Sequence, residues 1–318
     1  MIASVRTRPS LAPTLFGVAA GAAAVAGIGV GAISAVTAWR IVRPNRASRP
    51  RGWVPCIDPA DVEAVTFASP GGPQLRGWLL APPHQGAPMV VCFHGFSMNR
   101  HEFEEVVPWL REAGYGCLVF DFRGHGESEG DFTTVAASHE VEDARAAIAL
   151  VRARFGANLP LAVYGISMGG AVAIQVAASD AGVSAIVTDC AFAALPRVLD
   201  HAFEEWMNLP KAIFRRPVSE FARLFTGIHV DEVRPVDTAH AISPRPYLLI
   251  HNTEDRFVDP DDADLIAAAY GAGIEIWRPV GDHVQSRTNQ PEEYRERILA
   301  FLGRAFGNRE ASGADIAA

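Results

Sequence analysis

The chain has 318 residues, 49% hydrophobic and 20% charged, with 28 Lys and Arg against 36 Asp and Glu for a net charge of −8. That balance fits a globular domain with one large core and excludes a disordered, collagenous or disulfide-stapled chain. The charge is unevenly split: residues 1–59 carry seven arginines and one aspartate, so the remainder stands at −14, and so acidic a domain excludes nucleic acid as its expected substrate or partner.

From Pro9 to Trp39 there is no charged residue, and Leu11 to Ala38 exceeds the about 20 apolar residues needed to span a hydrocarbon core. Gly17 with Gly21 and Gly27 with Gly31 give the small-x-x-x-small spacing of packed membrane helices. Residues 1–40 are therefore expected to form a single-pass membrane anchor. The alternative is a signal peptide of an exported protein, with Arg6 and Arg8 as its basic region and Ala35-Val36-Thr37-Ala38 as its cleavage site. The apolar stretch, however, outruns the about 7 to 15 residues usual there. Arg40, Arg43, Arg46, Arg49 and Arg51 follow the segment against two arginines before it, which places the rest of the chain on the cytoplasmic side. Residues 41–60 interleave Pro44, Pro50, Pro55 and Pro59 with those arginines and read as an extended linker. The basic strip suits anionic head groups, or serves only as the flank that sets topology.

Residues 61–308 are expected to form one domain and 309–318 a disordered tail. Strand patterns fall near 62–68 and 75–81, joined at Pro70-Gly71-Gly72-Pro73, then near 89–93, 116–121, 160–165, 184–189, 246–251 and 274–279. Val141, Ala144, Ile148, Val151 and Phe155 recur at spacings of three and four, an apolar helix face that reads as core. The alternation predicts an α/β fold: a mostly parallel, doubly wound sheet with helices on both faces, preceded by an antiparallel hairpin. Residues 191–243 are too long for an ordinary loop and are expected to form an inserted helical cap. Phe192, Phe203, Trp206, Phe214, Phe221 and Phe225 in and beside it either line an apolar pocket or attach the cap to the sheet.

The chemistry centres on Gly165-Ile166-Ser167-Met168-Gly169, which lies between the apolar run Leu159 to Tyr164 and the Ala-rich stretch Ala171 to Ala178. A nucleophilic serine needs such a strand-turn-helix setting, because the tight turn lifts its Oγ out of the sheet while glycines let the two elements approach. It also needs a base, and a third group to orient that base. His283, after the strand pattern 274–280, is the only histidine beyond residue 260. Glu254, Asp255 and Asp259 cluster behind the strand ending at His251. Asp255 is the chosen acid, since Asp259 precedes Pro260 as an N-cap would.

Several ordered stretches resemble the α/β-hydrolase superfamily, in particular the monoacylglycerol lipase and S33-like serine aminopeptidase branch. Cys92-Phe93-His94-Gly95-Phe96 resembles its HG oxyanion loop, Asp121 to Ser128 its D-x-R-G-H-G-x-S segment, and His251 to Val258 its acid loop, with Asn252 where the family has Gly. The likeness spans about residues 60 to 305. It implies an α/β-hydrolase fold with Ser167 as nucleophile, His283 as general base and acid, and Asp255 as orienting carboxylate. The backbone N–H groups of Phe96 and Met168 would form the oxyanion hole. The implied activity is serine hydrolysis of carboxylic esters, or thioesters, of an acyl or lipid-like substrate. A peptidase is the alternative, and a catalytically silent membrane-tethered module a third reading.

No cofactor or metal is expected: the ten histidines show no H-x-x-x-H or H-E-x-x-H spacing and no two cysteines stand as C-x-x-C. Cys92, Cys117 and Cys190 fall in or beside strand patterns and read as buried thiols, and Cys56 lies in the linker. His94 and His125 read as residues that hold loops by hydrogen bonding.

Overall fold

The structure is a computed structural model that describes residues 12–44, 46 and 58–307, with only the backbone described for 12–23 and Pro59. Arg6, Arg8, Arg49, Arg51, Pro50, Pro55, Cys56 and the tail 309–318 lie outside the described residues.

Eight strands form one sheet among the described residues: β1 (Glu63–Ala68), β2 (Gln74–Leu80), β3 (Met89–Phe93), β4 (Gly116–Phe120), β5 (Leu161–Ile166), β6 (Ala185–Asp189), β7 (Tyr247–Ile250) and β8 (Glu275–Trp277). Their order is β1-β2-β4-β3-β5-β6-β7-β8. The hairpin β1–β2 and the β2–β4 pair are antiparallel, and every pair from β4 to β8 is parallel. Each expected strand is present, within two residues at either end. Strands β3 to β7 are buried along their whole length, which is why they read as continuous apolar runs rather than alternating ones.

Two apolar layers sandwich the sheet. One packs α3 (Ser138–Phe155), α4 (Met168–Ser179) and α7 (Asp261–Tyr270) on one face, the other α2 (Val106–Glu112) and α8 (Pro291–Phe306) on the opposite face. The predicted stripe on α3 is buried at Val141, Ala144, Ile148 and Val151, with Phe155 packed at its edge. Between β6 and β7 the chain forms α5 (Leu195–Glu205), α6 (Lys211–Thr226) and two 3-10 turns, Val230–Glu232 and Pro235–Ile242.

The N-terminal segment is one helix, α1 (Ala12–Val42), and its part Ala24–Val42 is long and apolar enough to cross a membrane. It differs from expectation in two ways. Ile41 and Val42, assigned to the extended linker, belong to its last turn. Its contact with the rest of the chain was also not expected: Gly27 and Gly31 face open space, whereas Ser34, Ala38 and Val42, four apart, are buried. Those three stack on one side of the helix, where Ala38 and Val42 join Leu199 and Phe203 of α5 and Phe214, Val218 and Ala222 of α6 in a third apolar cluster. The expected cleavage stretch Ala35 to Ala38 thus lies in about the last two turns of the helix, with Ala38 fully buried.

Candidate active site

The turn from β5 into α4 sets Ser167 at φ 51°, ψ −114°, a conformation that non-glycine residues rarely adopt. The two glycines around it are required by space. A Cβ on Gly165 would fall 2.1 Å from the Gly169 carbonyl oxygen, and one on Gly169 would fall 2.0 Å from that of Phe93. The Ser167 N–H donates to the Asp189 carbonyl at 2.8 Å, tying the strained residue to β6.

His283 Nε2 lies 3.0 Å from Ser167 Oγ, and its Nδ1 lies 2.7 Å from Asp255 Oδ2. An ionised carboxylate only accepts, so the proton sits on Nδ1 and Nε2 is left to accept from the serine hydroxyl. The other Asp255 oxygen accepts the N–H groups of Phe257 and Val258, each at 2.8 Å. Burial pushes the Asp255 carboxyl up, but the His283 hydrogen bond and charge, together with the Val258 N–H, win and hold it below its ordinary value. Of the competing acids, Glu254 is exposed, and Asp259 caps α7 by accepting the Asp261 N–H at 3.0 Å. The three residues chosen from sequence therefore converge within hydrogen-bond reach.

The oxyanion loop is held by His94, as the sequence suggested, and by Ser97, Glu102 and Arg287, which it did not single out. Ser97 at φ 57° closes a turn in which Met98 N–H donates to the Gly95 carbonyl at 3.2 Å. The Gly95 N–H donates to Glu102 Oε2 at 2.7 Å, and Arg287 donates to the Glu102 carbonyl at 2.8 Å from 185 residues away. Burial raises the Glu102 carboxyl against the opposing pull of Arg287 and of that N–H. His94 Nε2 accepts the Phe122 N–H at 3.0 Å, so its Nδ1 carries the proton that it donates to the Gly95 carbonyl at 2.8 Å. Burial lowers His94 to about 4, so it is a neutral clamp between the oxyanion loop and the loop after β4. His125 holds the Arg123 carbonyl in the same way at 2.9 Å.

A second missed linkage joins the acid and histidine loops. Asp282 accepts the Arg256 N–H at 3.0 Å and its own neighbour's, that of His283, at 2.8 Å, while pairing with the Arg256 guanidinium. Asn252 donates from Nδ2 to the Asp282 carbonyl at 2.6 Å. Asn252, which stands where the family has Gly, keeps a negative φ, and its amide bridges the two loops. Cys190 Sγ stands close to Asp255 and His283, but burial pushes its thiol well up, and it accepts the Val284 N–H at 3.4 Å.

Ser167, Met168 and Phe96 open onto a cavity of about 260 Å³ whose lining contains no charged side chain. Phe192, Trp206 and Phe257 line it, and Phe203 and Phe214 pack behind it in the cap cluster. Phe192 and Trp206 thus take the pocket-lining role, whereas Phe203 and Phe214 bind the cap to α1 rather than to the sheet as the other expectation had it. Glu140, buried at the start of α3, accepts the Thr133 hydroxyl and the Thr134 N–H, each at 2.9 Å, and so pins the segment where Val135 and Ala136 adopt φ of 52° and 67° along the cavity.

A family model described as serine aminopeptidase, S33, matches residues 84–221, which hold the oxyanion loop and Ser167. An esterase of Pyrococcus furiosus superposes with a TM-score of 0.67 at 25% identity, over 83% of this chain and 98% of that one. The family match and the superposition support membership of the α/β-hydrolase superfamily. Among curated relatives of this α/β hydrolase, the Salmonella typhi protein YfhR is 27% identical over 267 residues, covering 78% of this chain and 84% of its own. The thiohydrolase aneE of Aspergillus aculeatus is 34% identical over 132 residues, covering 40% of each chain.

Proposed function

We propose that this α/β hydrolase is a serine esterase that cleaves carboxylic esters, thioesters included, of an acyl or lipid-like substrate through an acyl-Ser167 intermediate. The observation that carries the reading is the 3.0 Å and 2.7 Å hydrogen-bond chain from Ser167 through His283 to Asp255, opening on an uncharged cavity. His283 Nε2 takes the hydroxyl proton as Oγ attacks the carbonyl carbon, and the N–H groups of Met168 and Phe96 receive the oxyanion. Collapse expels the alcohol, which leaves with the proton from His283. Water, deprotonated by the same imidazole, then releases the carboxylic acid and restores Ser167. The chain's relatives include a thiohydrolase and an esterase, which agrees with this bond class. A peptidase uses the same three groups, but an aminopeptidase must hold a free ammonium, and the cavity lining offers no carboxylate. The arginines after α1 and the burial of Ala38 support an uncleaved anchor with this domain on the cytoplasmic face.

The test is labelling of the full chain by a fluorophosphonate, with ester turnover measured alongside. Ser167→Ala abolishes labelling, and Asp255→Asn lowers kcat about 10⁴-fold by favouring the wrong imidazole tautomer. A folded parent that takes up no label, or label retained in Ser167→Ala, would overturn the assignment.

A further inference from the structure

We propose that the last turn of the N-terminal helix α1 is a wall of the acyl cavity and determines which chain length the cavity takes. The substrate it fits is the linear acyl chain of a membrane amphiphile, and the proposal rests on the esterase reading above. Ile41 and Val42 line the same cavity as Ser167 and Phe96, facing it together with Val218 and Ala222 of α6. No part of that lining carries a charge that would favour a polar acyl group.

The turn is fixed in place by contacts that do not depend on a ligand. The Val42 carbonyl accepts the Thr133 N–H at 2.8 Å, and Thr133 itself lines the cavity. Arg46, just beyond the helix, donates to the Ser128 carbonyl at 2.8 Å in the loop after β4. Trp39 meets Phe132 and Phe225 edge-on, with ring centroids 5.3 Å and 5.5 Å apart. A helix that served only to tether the domain would need none of these.

The opposite side of α1 indicates where the chain comes from. Val25, Ile28 and Val36 are 71%, 73% and 55% exposed on a helix of membrane-spanning length. Such side chains are stable against lipid and costly in water. The same helix thus presents an apolar flank to a bilayer and ends in the wall of the cavity, which gives an acyl chain a continuous apolar surface from leaflet to Ser167.

The experiment measures kcat/KM of the full-length protein in lipid nanodiscs across p-nitrophenyl esters from butanoate to dodecanoate. Val42→Phe fills the wall and lowers the ratio of the longest accepted ester to butanoate by about tenfold, the scale of one or two methylenes in a pocket. Val42→Ala and Ile41→Ala shift the profile the other way, toward longer chains, and keep the test open if the larger side chain impairs folding. Val36→Ala, on the exposed flank, leaves the profile where it is. Profiles of the Val42 and Ile41 variants that superimpose on the parent's overturn this proposal alone. A folded parent that neither labels nor hydrolyses any ester overturns the esterase reading, and this proposal with it.

Discussion

The catalytic edge of the sheet and the cap side of the molecule are built on different principles. At the edge, each functional side chain is placed by backbone that leaves almost no freedom: an added Cβ on Gly165 or Gly169 would fall 2.1 Å or 2.0 Å from a carbonyl oxygen, Ser167 is strained, and Asp255 is held by two N–H groups. On the cap side, α1, α5 and α6 meet through a cluster of Ala38, Val42, Leu199, Phe203, Phe214, Val218 and Ala222, where any apolar side chain of similar volume would serve. On the proposed esterase reading, chemistry sits on the rigid half, and substrate selection on the half whose shape can change without disturbing it.

The largest effect expected from this contrast is at Gly169. Gly169→Ala puts a methyl 2.0 Å from the Phe93 oxygen and 2.8 Å from that of His94, both backbone atoms in a closely packed strand-helix junction. We expect a loss of about 4 kcal/mol or more, above ordinary overpacking because neither neighbour can move aside. Thermal unfolding of the purified variant measures it, and a Tm within a few degrees of the parent's would show that the junction is softer than its geometry implies.

Next in size is the cap. Phe203 is 3% exposed among Leu199, Phe214 and Val218, so Phe203→Ala removes about 3–5 kcal/mol from that cluster. If the two halves are separate in stability, amide exchange rises in α1, α5 and α6 while β3, β5 and β6 keep their protection, and the fluorophosphonate still reaches Ser167. Equal loss of protection in the sheet would make the halves one cooperative unit and remove the contrast.

The same contrast explains what could be read from the sequence. Ser167, Asp255 and His283 were legible because their requirements are local: a pentapeptide with two obligatory glycines, an acid one loop after a strand, a histidine one loop after the next. Strands β3 to β7 were legible because burial on both faces makes them unbroken apolar runs. Glu102 was not, since a buried acid with a distant partner looks like any surface acid until folding brings Arg287 to it across 185 residues; Glu140, bonded to Thr133 and Thr134 close by, and Asp282, paired with Arg256, stand in no motif that marks them. The face of α1 that meets the cap was not legible for a related reason. Composition shows which residues are small, but Gly27 and Gly31 face open space because the neighbour that chooses the face, α6, enters some 170 residues later.

Glu102 gives the finest test, because it joins the rigid edge without touching substrate. It is a positioning residue: its carboxylate accepts the Gly95 N–H and so aims the peptide that carries the Phe96 N–H. Glu102→Gln keeps an acceptor oxygen for Gly95 but loses the charge opposite Arg287, and should lower kcat about tenfold with KM unchanged, since only transition-state binding is weakened. Glu102→Ala leaves the Gly95 N–H without its acceptor, and its effect should approach the 10²- to 10³-fold, about 3 kcal/mol, that removal of one oxyanion donor costs. A merely structural Glu102 would instead lower Tm in both variants and leave the kcat of the folded fraction alone. If KM rises while kcat holds, the loop shapes the cavity rather than the oxyanion hole. The boundary between the rigid and adaptable halves would then run through the oxyanion loop itself, between Gly95, which Glu102 holds, and Phe96, which faces the cavity.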